Sequence, residues 1–206
     1  MQQDIKLFNY HFIDNDADKT IFLLHGTGGS KEDFLFLNTA LHKNFNLVGL
    51  QGNVDEQGST RFFKRIKHGF FDQDSIKEES EKFQKFLTAW RETYMVNTED
   101  FTFLGYSNGA NMLLANLFYY PESMNKLALL HPMIPFEIKP HSIDLSQHHI
   151  FVAHGQEDPR VPISEQKKLL AIMQDNSAQI VAKEYPRGHA ISRNEIIDVT
   201  KFLMES

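Results

Sequence analysis

The chain has 206 residues, a formal net charge of −6, eighteen phenylalanines and no cysteine. Domains usually hold about 100–200 residues, so one domain over residues 1–206 is expected, large enough to fold without disulfides or a structural metal. The lack of cysteine excludes disulfides, thiolate metal sites and a cysteine nucleophile, and the negative charge argues against nucleic acid as a partner.

The N-terminal segment predicts no export signal. Residues 1–7 lack the basic start and the apolar run of a signal peptide. No apolar stretch approaches the roughly 18 residues that a membrane span needs. We therefore expect a cytoplasmic protein without stable membrane insertion.

Strands and helices alternate in the first half of the chain. Continuous apolar runs are typical of strands buried on both faces of a sheet, and Ser30 offers an N-cap for a helix. The predicted elements are a strand over Ile5–Phe12, a strand over Thr20–Leu24, a helix from Ser30 to about Lys43, a strand over Asn46–Leu50, a long loop over Gln51–Asp74 and an amphipathic helix from Ser75 to about Tyr94. A loop of this length is usually functional, with a short helix as one option for part of it.

The second half repeats the alternation. Its predicted elements are strands over Phe101–Gly105, Leu127–Leu130, Ile150–Ala153 and Gln179–Tyr185, and helices over Asn108–Tyr119, Ile163–Gln174 and Ile191–Met204. Alternating elements imply an α/β fold with a mostly parallel central sheet, helices on both faces and no large cap domain. Ligands of such sheets bind at the carboxyl ends of the strands, where the unusual residues of this chain fall.

The segment Gly105-Tyr106-Ser107-Asn108-Gly109 is the central motif. Gly-x-Ser-x-Gly between a strand and a helix places the serine on a sharp, strained turn, because side chains at the glycine positions would collide with the crossing strand and helix. The pentapeptide alone is weak evidence, since a glycine-rich helix start with a surface serine gives the same pattern. The apolar strand before it and the helical segment after it favour Ser107 as a nucleophile.

A glycine-rich loop, His25-Gly26-Thr27-Gly28-Gly29, follows an earlier strand. Acyl transfer through a serine needs N–H donors for a tetrahedral oxyanion. In enzymes that use the nucleophile turn, one donor is the next residue and the other lies in such a loop, which predicts the N–H groups of Asn108 and Thr27. A phosphate-binding loop is the alternative, but neither a P-loop nor a dinucleotide spacing is present.

An acidic residue follows the strand near residue 150. Asp158 precedes a proline, and a turn residue bonded to the backbone explains this placement as well as an orienting carboxylate does. Glu157 is a neighbouring candidate for the carboxylate, and we favour Asp158.

His189 lies between the final strand and the last helix, in the chain order serine, acid, histidine. A lone histidine is more often structural than catalytic, and this chain has ten. The order in the chain favours His189 as the base. The histidines at 148, 149 and 154 lack the spacing and the acidic cluster of a metal site, so neither a metal nor a cofactor is expected.

Four phenylalanines in the long loop, Phe62, Phe63, Phe70 and Phe71, are set apart from those in the strands. We expect some of them to anchor the loop in the core. The hypothesis is that at least one lines an apolar acyl or aryl pocket beside Ser107.

Together, the motifs HGTGG, GYSNG, HGQEDPRVP and GH resemble those of the small carboxylesterase/phospholipase family of α/β-hydrolases, which includes the acyl-protein thioesterases. The segment from Gln51 to Asp72 and the sequence His131-Pro132-Met133 are most similar to bacterial hydrolases associated with quinone and thiol stress, which often carry Arg at the position of Gln51. The resemblance runs from about residue 20 to about residue 203.

The resemblance implies a serine esterase that acts on small-molecule esters without a cofactor, and commonly a homodimer. It assigns the triad to Ser107, Asp158 and His189, and the oxyanion donors to Thr27 and Asn108. An acyl-thioesterase or lysophospholipase with the same triad, a lipase, and a non-catalytic binding protein that retains the pocket are the alternatives.

Overall fold

Within the described residues, 4–139 and 141–205, the computed structural model contains eleven strands. They are Tyr10–Ile13 (β1), Thr20–Leu24 (β2), Asn46–Leu50 (β3), Val54–Glu56 (β4), Ser59–Arg61 (β5), Arg65–Lys67 (β6), Phe70–Phe71 (β7), Phe101–Tyr106 (β8), Lys126–Leu130 (β9), His149–Gly155 (β10) and Gln179–Tyr185 (β11). Seven form one sheet in the order β1-β3-β2-β8-β9-β10-β11. Only the β1–β3 pair of this sheet is antiparallel, so the expected mostly parallel sheet is confirmed.

The five α-helices of the described chain are Leu37–Ala40 (α1), Gln73–Tyr94 (α2), Asn108–Tyr119 (α3), Ile163–Asp175 (α4) and Arg193–Met204 (α5). Capping fixes where two of them begin. The Asp72 side chain accepts from the N–H of Ser75 at the start of α2, and Ser192 and Glu195 form a reciprocal capping box at the start of α5. Such caps satisfy the N–H groups that a first helical turn leaves unpaired.

The core lies in two layers because alternate residues of a strand point to opposite faces of the sheet. Every residue of β2 is buried. Phe22 and Leu24 join the cluster that packs against α2 and α3, whereas Ile21 and Leu23 join the cluster that packs against α5. Helices therefore cover both faces, and the carboxyl ends of the parallel strands are left at one open edge.

Two predicted elements are wrong in extent. The predicted strand over Ile5–Phe12 is a 3₁₀ turn at Asp4–Lys6 followed by the shorter β1. The predicted helix from Ser30 is a series of tight turns, and only α1 is helical. The turns arise because Lys31 is drawn against the sheet: its N–H donates to Gln51 Oε1 at 3.2 Å, and its carbonyl lies directly over Gly49.

The long loop after β3 folds into two hairpins. β4 pairs with β5 and β6 pairs with β7, both antiparallel, and no helix forms between residues 51 and 72. Gln57 and Gly58 both have positive φ, at 54° and 83°, as a two-residue hairpin turn requires. At the tip of the second hairpin, His68 Nε2 lies 3.2 Å from the carbonyl oxygen of Arg160, so this hairpin reaches across the open edge of the sheet.

Candidate active site

Ser107 lies on the turn between β8 and α3, with φ at 51° and ψ at −111°. With this φ, a ψ of −111° lies outside the left-handed helical region that residues with a side chain can adopt, so the backbone is strained here. The flanking glycines make this tight turn possible because a side chain at either position would collide with backbone. A Cβ on Gly105 would lie 2.7 Å from the backbone of Gly109, and a Cβ on Gly109 would lie 2.3 Å from the carbonyl oxygen of Leu24. The helix thus starts directly against the neighbouring strand, and the serine hydroxyl projects from the edge of the sheet.

A chain of hydrogen bonds links Ser107 to two residues from distant parts of the sequence. His189 Nε2 lies 2.8 Å from Ser107 Oγ, and His189 Nδ1 lies 2.6 Å from Asp158 Oδ2. The other carboxylate oxygen of Asp158 accepts from the N–H groups of Arg160 and Val161, so Asp158 also fulfils its role as a turn residue. Glu157 is exposed.

At this site, burial and hydrogen bonding shift the pKa values of His189 and Asp158 in opposite directions. Burial lowers the pKa of His189 and outweighs the opposite effect of the hydrogen bond to Asp158. At Asp158, burial alone would raise the pKa, but the hydrogen bonds from His189 and from the N–H of Arg160 lower it overall. Asp158 is therefore held as a carboxylate while His189 tends toward the neutral form that can accept a proton.

A second histidine, His131, contacts the same carboxylate from the other side. Its Nδ1 lies 3.0 Å from Asp158 Oδ2, and its Nε2 lies 3.0 Å from Glu195 Oε1. The side chains of His131, Asp158 and Glu195 have no solvent-exposed surface. The ring therefore bridges two buried carboxyl groups, and each of its nitrogens has a hydrogen-bond partner.

His131, Asp158 and His189 are also residue types that bind metals, and their potential ligand atoms lie within 4.8 Å of one another. Both imidazoles direct Nδ1 at the same oxygen, Asp158 Oδ2. The three groups therefore satisfy one another as a hydrogen-bonded cluster.

Sequence reasoning assigned no role to Tyr106 or His131. The Tyr106 hydroxyl donates to the carbonyl oxygen of His189 at 2.9 Å and so fixes the loop that carries the imidazole. His131 directly follows β9, and its place at the carboxyl end of a parallel strand is the signal that could have identified it.

The N–H groups of Thr27 and Asn108 make no hydrogen bond to another described residue. Asn108 is the first residue of α3, where an N–H has no partner within the helix. Both residues line one cavity together with Ser107. The Asn108 side chain faces away and accepts from the N–H of Phe62 at 2.7 Å.

The glycine-rich loop is held in place by its neighbours. His25 is buried, its Nδ1 lies 2.6 Å from the carbonyl oxygen of Gly26, and its Nε2 accepts from the N–H of Gly52 at 3.0 Å. This pattern requires the proton on Nδ1, and burial lowers the pKa of His25 in keeping with a neutral ring. Gln51 Nε2 lies 3.3 Å from the carbonyl oxygen of Gly29 and 3.2 Å from His25 Nε2, which gives Gln51 a place in the support of the loop.

The cavity beside Ser107 has a volume of about 50 Å³. Phe71 lines it, whereas Phe62 and Phe63 are fully buried in the core and do not. Phe70 also lies outside the lining: it is 59% exposed, with the Lys67 ammonium 4.3 Å from its ring centre. Of the four phenylalanines, only Phe71 therefore lines the cavity, while Phe62 and Phe63 anchor this segment in the core and Phe70 lies at the surface.

A mostly parallel sheet covered by helices, with a serine on a strained strand-to-helix turn at its carboxyl edge, defines an α/β-hydrolase. The chain belongs to the phospholipase/carboxylesterase family of these hydrolases, whose sequence model matches residues 12–206. This confirms the family indicated by the motifs. Among the described residues, no helix combines the length and the apolar character that crossing a membrane requires.

Individual relatives extend over nearly the whole chain. MhqD of Bacillus subtilis, which is named as a hydrolase, is 30% identical over 193 residues, covering 92% of this chain and 94% of MhqD. A Bacillus cereus carboxylesterase has a similar structure, with a TM-score of 0.88, 28% identity and coverage of 95% of this chain and 92% of its own. A Mesorhizobium loti carboxylesterase gives a TM-score of 0.88 at 27% identity, with coverage of 96% and 94%.

Proposed function

We infer that this hydrolase is a serine esterase that cleaves short carboxylic esters through an acyl-enzyme. The observation that carries the proposal is the Ser107–His189–Asp158 chain, with its 2.8 Å and 2.6 Å contacts, at the wall of a small cavity. A histidine within hydrogen-bond reach of a serine and oriented by a carboxylate is the arrangement that activates a serine hydroxyl as a nucleophile.

In the first half of the reaction, His189 Nε2 takes the proton of Ser107 Oγ as this oxygen attacks the ester carbonyl carbon. The carbonyl oxygen becomes an oxyanion, which the N–H groups of Thr27 and Asn108 stabilise. His189 then gives its proton to the leaving alcohol oxygen as the carbon–oxygen bond breaks, and the acyl group remains on Ser107.

In the second half, water replaces the alcohol. His189 takes a proton from the water as its oxygen attacks the acyl carbon, and the same two N–H groups hold the second oxyanion. The proton then returns to Ser107 Oγ as the acyl bond breaks, which releases the acid and restores the free enzyme. Throughout, the Asp158 carboxylate accepts a hydrogen bond from the Nδ1–H group of His189 and stabilises the imidazolium.

The size of the cavity bears on the alternatives. Its 50 Å³ is far below the roughly 300–1,000 Å³ of pockets that enclose drug-sized ligands. A short acyl group therefore suits the site better than the long chain of a lysophospholipid. A thioester would meet the same Ser107 and His189, so only a comparison of substrates distinguishes a preference for esters from one for thioesters.

The test compares the wild type with Ser107→Ala on p-nitrophenyl acetate and butyrate. We expect kcat to fall at least about a thousandfold in Ser107→Ala, since its nucleophile is missing. Ser164→Ala, which changes an exposed serine on α4, serves as the control and should retain wild-type turnover.

Turnover by Ser107→Ala at the wild-type rate would refute the assignment. A fluorophosphonate probe gives a second readout, because it should label the wild type and Ser164→Ala but not Ser107→Ala. Folded wild-type protein that never labels would favour the binding-protein alternative. Matched ester and thioester substrates of equal acyl length then separate an esterase from a thioesterase by the ratio of kcat/KM.

A further inference from the structure

The lining of the cavity beside Ser107 contains three arginines, Arg61, Arg65 and Arg160, and no aspartate or glutamate. The chain as a whole has the opposite balance, with 27 acidic against 21 basic residues. The positive charge is therefore concentrated where a substrate would bind, and such concentration favours ligands of negative charge.

Arg61 is the most telling of these residues because it is only 3% exposed. Its Nε donates to the carbonyl oxygen of Phe63 at 3.2 Å, and its Nη1 donates to Thr27 Oγ1 at 2.6 Å. Its ion-pair partner in the described chain is Glu56, at the long distance of 3.9 Å. Burial lowers the pKa of Arg61 to about 10, which leaves the guanidinium charged at neutral pH.

Glu56 is also shared with a second arginine. Arg65 makes a two-pronged contact with it, from Nε at 3.3 Å and from Nη2 at 2.7 Å. One carboxylate thus stands against two guanidinium groups. A buried cation without full compensation is costly, and an anion in the cavity would supply the missing charge.

Arg160 completes the arrangement from the loop after β10. Its side chain is exposed and forms no ion pair within the described part of the chain. Its carbonyl lies beside His68 at the tip of the β6–β7 hairpin. The charge of Arg160 therefore lies at the cavity in a position to attract an incoming anion.

We propose that the substrates of this site are short esters whose acyl chain ends in a carboxylate, bound by Arg61 and attracted by Arg160. This rests on the proposed esterase function. The acyl side is favoured because the leaving group must lie at His189 Nε2, which protonates it, whereas Arg61 contacts Thr27 on the oxyanion side of the site. With Nε and Nη1 of Arg61 engaged by Phe63 and Thr27, Nη2 has no hydrogen-bond partner among the described residues and can donate to a carboxylate, while the small cavity favours a short chain.

The experiment compares monomethyl glutarate with methyl pentanoate, which has a methyl group in place of the terminal carboxylate. Charge-assisted hydrogen bonds lead us to expect kcat/KM for the charged ester to exceed that for the neutral one by about tenfold or more. In Arg160→Gln this ratio should fall several-fold. Arg91→Gln removes the same charge from an exposed position on α2 and should leave the ratio unchanged.

A binding measurement keeps the test independent of turnover. In Ser107→Ala, calorimetry should show glutarate binding more tightly than pentanoate, and Arg160→Gln in the same background should weaken glutarate binding. Inorganic phosphate is the third probe. Tighter binding of phosphate than of glutarate would overturn the carboxylate assignment.

The outcomes separate the two proposals. Cleavage of methyl pentanoate with equal or slower cleavage of monomethyl glutarate would overturn the acidic substrate while leaving the esterase standing. A wild type that cleaves neither methyl ester nor any p-nitrophenyl ester would overturn the esterase and this substrate class with it.

Discussion

Replacing Glu195 by glutamine changes the charge beside His131 and keeps a side chain of the same shape. In the wild type, Glu195 Oε2 accepts from the N–H of Ser192 in the capping box, and Glu195 Oε1 faces His131 Nε2. A glutamine has a single oxygen, and the cap requires it. The amide nitrogen then faces His131 Nε2, and an amide, unlike a carboxylate, does not favour a positive charge on a neighbouring ring.

The expected loss of stability follows from one buried contact. A 3.0 Å contact between the imidazole and a carboxylate oxygen is replaced by one to a neutral amide, which should lower the free energy of unfolding by about 1–2 kcal/mol. For a chain of this size, that corresponds to a fall in Tm of roughly 2–8 °C. Calorimetry measures it, with Glu92→Gln on the exposed side of α2 as the control that should keep the wild-type Tm.

The same variant should change the pH dependence of activity. A charged His131 lowers the pKa of His189, so loss of that charge raises it. His189 is then protonated, and inactive as a base, at a higher pH than in the wild type. The acid limb of the kcat/KM profile with p-nitrophenyl acetate should therefore move upward in pH. A lower Tm with an unmoved acid limb would show that His131 carries no charge, and an unmoved Tm would refute the stabilising role of the contact.

Three further predictions concern residues around the serine. Tyr106→Phe removes the hydroxyl that donates to the carbonyl oxygen of His189, and kcat/KM should fall about tenfold; equal rates would contradict a positioning role. Gly109→Ala places a Cβ 2.3 Å from the carbonyl oxygen of Leu24, which should lower the free energy of unfolding in urea by roughly 1–3 kcal/mol, and wild-type stability would argue against the close crossing. In the wild type, burial lowers the pKa of His189, so kcat/KM should persist as the pH falls below the ordinary value of 6.5, and a midpoint above 6.5 would be inconsistent with this environment.

Local chemistry made much of the fold and part of the candidate site predictable. The apolar runs of β2 and β8 report burial on both faces, and the glycine spacing around Ser107 reports a turn that only small neighbours permit. Asp158 and His189 each come shortly after a strand, where ligands of parallel sheets bind, and they follow Ser107 in the order typical of this fold. These features are encoded within a few residues each, so the sequence alone contains them.

Other features depend on contacts between distant residues. His131 meets Glu195 across 64 positions, and Arg61 meets Thr27 across 34, so no local pattern reveals either pair. The helix expected after Ser30 is short because Lys31 is held against Gly49 and Gln51 in β3 and the turn beyond it. Tertiary contacts override local propensity at such positions.

The placement of His189 ties the chemistry to one lateral edge of the sheet. His189 follows β11, an edge strand that pairs with β10 alone and is mostly exposed or half-buried. Opening of a sheet edge costs less free energy than global unfolding, since fewer buried contacts are lost. Detachment of β11 would withdraw the imidazole from Ser107 while the other six strands of the sheet stay paired. Loss of activity on heating should then come before loss of the sheet, and enzymatic rate becomes a sensor of partial opening at this edge.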